Sequence, residues 1–419
     1  MTAPALPEGL PAPATGHVDL LVVAAEHSGD EHAARMVRGL LAVRPDLQVC
    51  ALGGARLAAA GAQLLRDLTA GSAMGFAVLA KLSHYRALIA DIVRWIGTHR
   101  PRAVCFVDSS GLNLRITRGL FDQGFSAKGG GPTKALYYIS PQIWASRAGR
   151  RFEMAKHLDG LAAIFPFEPA VYADTALPVT FVGHPFVAPD YVAPVTHDPA
   201  GPVLLLPGSR RQVVSRLFPV LLEAYRQSGT ARPAVVLYPS EEILALLQAA
   251  NPPANVRLEH THGAGEHAEG RPASNVGSAL GPTLHSSPRE KPNGPAIGGP
   301  VAASAVLTAS GTMSMHCALA GIPGALAYKT DALTYFLGRM LVKVEFIGIA
   351  NLLLKEPMYP EYIQGASTPA ALAEELRQSL DDPARLERTK AQATKLRALL
   401  SKPTSGSVVD WMLGQLGRG

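Results

Sequence analysis

The sequence is poor in cysteine, in charged residues and in long apolar runs. Its 419 residues include only three cysteines, Cys50, Cys105 and Cys317, whose spacing matches no metal site. So few cysteines exclude a disulfide framework and favour a reducing compartment. No apolar run approaches the roughly 18 residues that a membrane-spanning helix needs, and the N-terminus lacks the basic and apolar regions of a signal peptide. We therefore expect a cytoplasmic protein.

Acidic residues are scarcer than basic ones. The chain has 39 Lys and Arg against 33 Asp and Glu, a formal net charge of +6, and 47% hydrophobic residues. A chain of this length and hydrophobic content can bury the cores of two domains. Its positive charge suits an anionic substrate or an anionic membrane surface, although a general bias in composition accounts for the charge equally well.

Short apolar runs alternate with amphipathic stretches along most of the chain. The runs predict strands at residues 18–24, 49–52, 104–107, 135–139, 160–165, 179–182, 203–206 and 234–238. Strands that alternate with helices are typical of a mostly parallel sheet covered on both faces. We therefore predict an α/β fold with two doubly wound, Rossmann-like domains that face a cleft, with ligand sites at the carboxyl ends of the strands.

Changes in composition suggest the domain boundaries. Residues 1–16 are rich in Pro and Ala and predict a disordered tail, and residues 260–300 are crowded with Gly, Pro, Ser and His without periodicity, which predicts a disordered insertion. The four histidines of that insertion suit a solvated loop better than a metal site. The remaining segments are a first domain at 17–186, a Pro-rich linker at 187–202, a second domain at 203–400, and a C-terminal segment at 401–419 that packs back on the first domain.

Two glycine turns in the second half indicate a phosphate site. Pro207-Gly208-Ser209-Arg210 and Ala309-Ser310-Gly311-Thr312 each follow an apolar run and precede a helical stretch. Such a turn presents free N–H groups of a helix N-terminus to an anion, and Arg210 adds a charged, bidentate donor. The pattern indicates a nucleotide diphosphate site, with an ordinary strand-to-helix turn as the alternative.

Polar residues in the first half follow the predicted strands. Asp108 comes directly after an apolar run and precedes Asn113 by five positions, which suits a general base and suits a helix cap as well. Ser28 and Asp30 suit either a substrate-binding role or helix capping. His184, between Gly183 and Pro185, either faces the cleft or is a satisfied histidine of the hinge.

Eleven short stretches together resemble one known family. The chain is similar to the lipid-A-disaccharide synthases, glycosyltransferases of the GT-B class, through motifs that occur in that family's order. They lie at residues 26–30, 53–56, 74–76, 107–113, 138–144, 165–168, 182–185, 206–210, 310–312, 341–343 and 351–353.

This resemblance implies the reaction and the residues that carry it. The family transfers 2,3-diacylglucosamine from UDP to 2,3-diacylglucosamine 1-phosphate with inversion, forming a β-1,6 disaccharide and releasing UDP. The first domain then takes the acceptor and the second takes the UDP-sugar. Asp108 matches the catalytic residue. The acceptor-binding positions are Glu26, Ser28, Gly29, Asp30, Asn113 and His184. The donor-binding positions are Gly208, Ser209, Arg210, Ser310, Gly311, Thr312, His316 and Asn351.

The resemblance also implies the surroundings of the enzyme. We expect no metal and no cofactor, in keeping with the lack of an Asp-x-Asp signature near the donor turns. We expect peripheral attachment to the cytoplasmic face of the inner membrane, with the apolar residues 76–82 and nearby basic residues in contact with lipid. Nucleic acid is not an expected partner, and whether the chain forms a homodimer stays open.

The chain departs from the family pattern at four positions that are usually acidic: Val78, Gly111, Val213 and His316. The last of these replaces a glutamate that in related transferases bonds the ribose, although a neutral histidine retains that capacity. The departures leave two alternatives open. One is a homologue that binds a UDP-sugar or an acylated sugar without turnover, and the other is an enzyme similar to UDP-GlcNAc 2-epimerase.

Overall fold

The computed structural model describes residues 9–69, 78–261, 299–330 and 345–417. The strands of this part are β1 (Leu20–Val23), β2 (Val49–Gly53), β3 (Gln63–Asp67), β4 (Ala103–Val107), β5 (Lys134–Tyr138), β6 (Gly160–Ala163), β7 (Val179–Phe181), β8 (Val195–His197), β9 (Val203–Leu206), β10 (Ala234–Tyr238), β11 (Val256–His260), β12 (Val301–Ala303), β13 (Ala305–Ala309), β14 (Gly324–Tyr328) and β15 (Glu361–Ile363). The helices are α1 (His27–Val43), α2 (Ala55–Ala59), α3 (Val78–His99), α4 (Ser110–Asp122), α5 (Arg150–His157), α6 (Glu168–Val171), α7 (Arg211–Ser228), α8 (Glu241–Ala249), α9 (Thr312–Ala320), α10 (Ile349–Leu354), α11 (Pro369–Asp381), α12 (Pro383–Leu400) and α13 (Val408–Leu416).

Two parallel sheets organise the molecule. The first has the strand order β3-β2-β1-β4-β5-β6-β7 and the second has the order β11-β10-β9-β13-β14-β15. All residues of the central strands β1, β4, β9 and β13 are buried. Strands covered on both faces are continuous apolar runs, which is why the sequence shows them so clearly. The predicted α/β class with two doubly wound domains is confirmed.

Several elements differ from the sequence prediction. Helix α1 begins at His27 with Glu26 as its N-cap, so Ser28 and Asp30 lie in its first turn and do not cap it. The apolar run at 301–308 contains two strands, because β12 pairs with β8 while β13 enters the main sheet beside β9. Strands β3, β8, β11, β14 and β15 were not predicted, and β8 lies within the segment assigned to the linker.

The chain ends show a further difference. Residues 9–16, assigned above to a disordered tail, lie against the first domain: Gln63 Nε2 donates to the carbonyl oxygen of Ala12 at 3.1 Å, and Trp95 Nε1 donates to that of Pro11 at 2.8 Å. The tail prediction is therefore wrong for these residues. Residues 1–8, most of the predicted insertion and the segment at 70–77 lie outside the described residues.

The chain passes between the domains twice. After the linker that follows β7, it returns through residues 401–407, and α13 packs on α1 of the first domain. Lys134 Nζ donates to the carbonyl oxygen of Gln415 at 2.6 Å, and Trp411 and Met412 are buried. In the ranges described, no helix is both long enough and apolar enough to span a bilayer.

Candidate functional site

Each sheet has one place where the chain reverses its direction of winding. In the first sheet the neighbours β1 and β4 continue to opposite sides, and in the second sheet β9 and β13 do the same. Loops at the carboxyl ends of such strand pairs form the crevice in which doubly wound proteins bind ligands. Most of the residues predicted from sequence lie in these loops or in the helical turns that follow them, at 24–30 and 108–113 in the first domain and at 207–210 and 309–312 in the second. His184, His316 and Asn351 lie elsewhere.

The backbone at Asp108 is held in an unusual conformation. Asp108 and Ser109 have φ angles of 51° and 42°, in the left-handed region that non-glycine residues rarely adopt. Asn113 Nδ2 donates to the carbonyl oxygens of Asp108 at 2.8 Å and Val107 at 3.2 Å, and the Tyr137 hydroxyl donates to the carbonyl of Asp108. Asn113 is fully buried. It therefore positions the Asp108 loop and is remote from solvent.

The Asp108 carboxylate faces the first turn of α1. Ser28 Oγ lies 3.5 Å from Asp108 Oδ2, and Gly29 packs beside Val107 and Asp108. Burial raises the pKa of the Asp108 carboxyl above its usual range, and the nearby charge of Glu26 raises it further, while Arg210 opposes the shift. A carboxyl with a raised pKa is a better proton acceptor near neutral pH than an ordinary aspartate.

Glu26 and Arg210 connect the two domains across the crevice. Arg210 Nη2 lies 3.8 Å from Glu26 Oε2, with side chains 78% and 47% exposed. An ion pair this exposed contributes little to stability. The ion pair matters for the geometry of the site: it shows that the loops after β1 and β9 come within side-chain reach of each other and of Asp108.

Asp30 has a different environment from its neighbours. Its side chain is buried, Oδ1 accepts from the backbone N–H of Gly54 at 2.7 Å, and Oδ2 accepts from that of Arg56 at 3.2 Å. Both carboxylate oxygens thus hold the turn that follows β2. The geometry supports a capping role for Asp30 at the N-terminus of α2, rather than of its own helix α1, over contact with an acceptor.

Two helix N-termini lie side by side in the second domain. Within the described residues, neither Arg210 before α7 nor Gly311 before α9 makes a side-chain capping bond, so the first N–H groups of both helices are left without that partner. Strands β9 and β13 are neighbours, and Gly208 (φ 102°) brings the first turn against Ala309. Two positive helix ends beside Arg210 suit a diphosphate.

Asn351 supports this turn indirectly. Its side chain is buried, with Nδ2 donating to Glu361 Oε1 at 2.9 Å and Oδ1 accepting from the N–H of Tyr359 at 3.0 Å. Glu361 in turn accepts from the N–H groups of Ile347 and Gly348, both at 2.9 Å. The Ile347 carbonyl accepts from Ser310 Oγ at 3.3 Å. Asn351 therefore acts through Glu361, a residue that the sequence analysis missed.

His184 and His316 lie between the domains. His316 Nε2 is 3.1 Å from the Tyr191 hydroxyl, and His184 Nδ1 accepts from the N–H of Phe186 at 3.2 Å. Burial lowers the pKa of each to about 3, so both are neutral at physiological pH. His184 is a hinge histidine, the second of its two interpretations. His316 contacts Phe186 and Tyr191 and lines a cavity of about 450 Å³ beside them.

The four departures from the family pattern occupy varied places. Gly111 is exposed in the first turn of α4, and Val213 is half-buried in that of α7. Val78 begins α3, and His316 lies in α9. In the part of the chain that the structure covers, no three His, Cys, Asp or Glu residues are grouped so as to hold a metal ion.

Sequence comparison gives a consistent result over most of the chain. The family profile described as lipid-A-disaccharide synthetase matches residues 20–238 and 296–407. Lipid-A-disaccharide synthase 1 of Legionella pneumophila is 32% identical over 409 residues, covering 95% of this chain and 97% of the relative. The lipid-A-disaccharide synthase of Geobacter metallireducens is 32% identical over 411 residues, covering 94% and 97%.

Solved structures show the same architecture at much lower identity. A calicheamicin glycosyltransferase aligns with a TM-score of 0.52 and 14% identity over 96% of this chain and 99% of that one. The UDP-GlcNAc 2-epimerase of Neisseria meningitidis, solved bound to UDP-GlcNAc, aligns with a TM-score of 0.52 and 10% identity over 91% and 100%. Such identities show the fold alone, and that fold is GT-B.

Proposed function

The chain belongs to the lipid-A-disaccharide synthase family of hexosyltransferases, and from that premise we propose that it forms the β-1,6 disaccharide of lipid A. The donor is UDP-2,3-diacylglucosamine and the acceptor is 2,3-diacylglucosamine 1-phosphate. The acceptor 6-hydroxyl oxygen bonds to the anomeric carbon of the donor, whose bond to the diphosphate oxygen breaks. UDP leaves with that electron pair, the proton goes to a base, and the anomeric centre inverts.

One observation carries the proposal: Asp108 and the two helix N-termini of the second domain lie at facing strand ends, linked by the Glu26–Arg210 approach of 3.8 Å. The base and the leaving group of an inverting transfer must lie on opposite sides of the reacting carbon. A crevice with a carboxylate on one wall and an anion seat on the other provides that arrangement.

The donor wall supplies positive charge to the leaving group. The N–H groups at the start of α7 and α9, with Ser209, Ser310 and Thr312 around them, face a diphosphate held at the turns. Arg210 adds a full positive charge and stabilises the negative charge that develops as UDP departs. Because these groups neutralise the diphosphate, we expect the rate to be retained in EDTA. A strict need for added magnesium or manganese would contradict this assignment.

The acceptor wall supplies the base. Asp108 accepts the proton of the 6-hydroxyl, and its raised pKa suits that exchange. Glu26, Ser28 and Gly29 border the same space at the start of α1, where they contact the acceptor sugar. Asn113 and Asp30 act indirectly, by holding the loops after β4 and β2.

The direct test measures disaccharide by mass spectrometry, with the purified chain, donor and acceptor. Asp108→Asn keeps the shape of the side chain but removes its basicity, so kcat should fall roughly 100-fold or more, while UDP affinity measured by calorimetry stays unchanged. Asp122→Asn, a surface change at the end of α4, is the matched control and should leave both values alone. Near-normal turnover by Asp108→Asn would overturn the assignment.

The same assay separates the alternatives. The loss of acidic residues at Gly111, Val213 and His316 favours a binding protein, which would bind UDP by calorimetry and form no product with the wild-type chain. An epimerase would convert UDP-GlcNAc in the absence of any lipid acceptor, and analysis of that reaction by NMR tests it.

Peripheral attachment to the cytoplasmic face of the inner membrane is a further part of the proposal. It rests on the acylated substrates and on the apolar sequence at 76–82, which is followed by basic residues such as Arg86. Flotation with anionic liposomes should be strong for the wild-type chain and weak for the combined variant Phe76→Ser, Leu79→Ser and Lys81→Glu. Equal flotation would dispose of this surface.

A further inference from the structure

A cluster of rings joins the two domains behind the crevice; we refer to it as the interdomain joint. It contains His32 of α1, His184, Phe186 and Tyr191 of the linker region, and His316 of α9. The Phe186 ring centroid lies 4.0 Å from that of His316, 4.8 Å from His184, 5.2 Å from Tyr191 and 5.7 Å from His32. Phe186, at the start of the linker, therefore contacts helices of both domains.

Tyr191 makes the most specific contacts of the joint. Its ring is nearly parallel to that of His316, with 4° between the planes and 5.6 Å between the centroids, and its hydroxyl is hydrogen-bonded to His316 Nε2 at 3.1 Å. The guanidinium of Arg35 on α1 lies 5.0 Å from the same ring. Arg35 also pairs with Asp190 at 2.8 Å and donates to the Pro185 carbonyl at 3.3 Å. Tyr191 is thus held to α1 and to α9 together.

The histidines of the joint are uncharged. Burial lowers the pKa of His32 to about 4 and of His184 and His316 to about 3. Three neutral rings pack against Phe186 and Tyr191 without the repulsion that three imidazolium ions would cause. The joint is therefore a packed contact with a defined geometry at physiological pH.

The joint lies one helical turn behind each half of the site. On α1, His32 follows Ser28, which contacts Asp108, by four residues; on α9, His316 follows Thr312, which opens the proposed diphosphate seat, by four residues. Residues four apart lie on the same face of a helix. His32 meets Phe186, Arg35 of α1 meets Tyr191, and His316 meets both rings. These contacts set the distance between the starts of the two helices, and hence between base and leaving group.

We propose that Tyr191 is a positioning residue for the transfer reaction, holding α1 and α9 at the separation that the two reacting groups require. The expected effect on the rate rests on the proposed function, whereas the positioning of α1 and α9 rests on the contacts of the interdomain joint alone. A displacement of about 1 Å costs up to about 100-fold in rate when reactants must be aligned. The described contacts of Tyr191 are with Arg35, Phe186 and His316, not with Asp108 or the turns that open α7 and α9. Its loss should therefore lower kcat and spare binding to a single domain.

The kinetic test compares Tyr191→Ala and Tyr191→Phe with Val192→Ala, a control at the next, exposed position. Tyr191→Ala should lower kcat by about 10-fold or more and leave the Kd for UDP within about twofold, because the second domain alone forms the UDP seat. Tyr191→Phe keeps the ring stack and should recover most of the rate, whereas Val192→Ala should resemble the wild-type chain. Unchanged kcat in Tyr191→Ala, or an equal loss of UDP affinity, would overturn the proposal.

A second measurement needs no catalysis. Spin labels at Val43→Cys on α1 and Gln248→Cys on α8, both exposed positions, report the distance between domains by double electron–electron resonance. The native cysteines are buried and should stay unlabelled. Tyr191→Ala should shift or broaden the distance distribution, and Val192→Ala should not. An identical distribution refutes the joint, whereas a wild-type chain that forms no disaccharide refutes the proposed function instead.

Discussion

Asp108 combines a strained backbone conformation with a raised carboxyl pKa. Its positive φ is maintained by Asn113 and Tyr137, which bond its carbonyl group. Strain of this kind persists only where surrounding contacts over-determine it, and such positions concentrate at functional sites. The carboxylate is thereby placed beside Glu26, whose charge adds to the effect of burial on its pKa. The residue that we propose as the base thus depends on Asn113, Tyr137 and Glu26.

The influence of Glu26 predicts a shift in the pH profile. Asp108 must be ionised to accept a proton, so kcat/KM should fall as the pH falls through its raised pKa. Glu26→Gln removes a nearby negative charge, lowers that pKa and should move the acid limb of the profile to lower pH. Glu223→Gln, on the surface of α7, should leave the limb in place. An acid limb that stays put in Glu26→Gln would show that another group controls it.

The capping role of Asp30 predicts a loss of stability. Asp30→Ala leaves the N–H groups of Gly54 and Arg56 without their buried partner, which should lower the free energy of unfolding by about 2–3 kcal/mol. Asp46→Ala removes an exposed carboxylate that pairs only with Arg44 among its described contacts, and it should change stability by less than about 0.5 kcal/mol. Urea denaturation measures both. Equal stabilities would show that water replaces the lost cap.

At the scale of elements, most of the buried strands were readable from sequence, whereas the edge strands β3, β11 and β15 and the inner strand β14 were not. Residues 203–206 were predicted with the correct bounds because every side chain there is apolar and buried. Strand β3, at the sheet edge, is Gln-Leu-Leu-Arg-Asp and has little of that pattern. Strand β14 reads Gly-Ala-Leu-Ala-Tyr, a composition with low β-propensity that tertiary packing overrides.

The residues of the candidate site also divide into those with a local sequence signal and those without one. Asp108 and Arg210 could be predicted because a strand end and a glycine turn are local features of the sequence. The joint residues His32, Phe186 and Tyr191 could not, because their contacts depend on the path of the linker between two domains. Asn351 was assigned to the donor through its motif, yet its bonds show that it supports a neighbouring loop.

Strand β14 offers a prediction at this scale. A Cβ on Gly324 would lie 1.9 Å from the carbonyl oxygen of Val306 on the adjacent strand β13. Backbone atoms of a central ladder cannot move away cheaply, so Gly324→Ala should destabilise the second domain by several kcal/mol, on the order of an overpacked core. Gly414→Ala in α13 meets nothing within 4 Å and should be neutral or stabilising by up to about 1 kcal/mol. Thermal unfolding of the two variants decides, and equal melting temperatures would contradict the clash.

At the scale of the whole molecule, the two domains meet at the interdomain joint, whose three histidines are neutral. In the folded chain these histidines have lowered pKa values, whereas in the unfolded chain they bind protons at the ordinary histidine pKa. Buried Glu168, whose pKa burial raises to about 7, works in the opposite direction, because the folded state holds its proton where the unfolded state has released it. The dependence of the free energy of unfolding on pH therefore contains contributions of both signs. Only a comparison between variants isolates the contribution of one histidine.

His184→Asn makes that comparison. Asparagine keeps an acceptor near the position of Nδ1 for the N–H of Phe186 but cannot ionise. In the wild-type chain, His184 has a folded pKa of about 3 against an ordinary value of about 6.5. Its stabilising contribution is thus complete above pH ~6.5 and is lost as the pH falls toward 3. Between pH 6 and 4 the wild-type free energy of unfolding should fall about 1.4 kcal/mol per pH unit more steeply than that of His184→Asn. Urea titrations across this range measure the difference, and parallel curves would show that His184 is protonated in the folded protein.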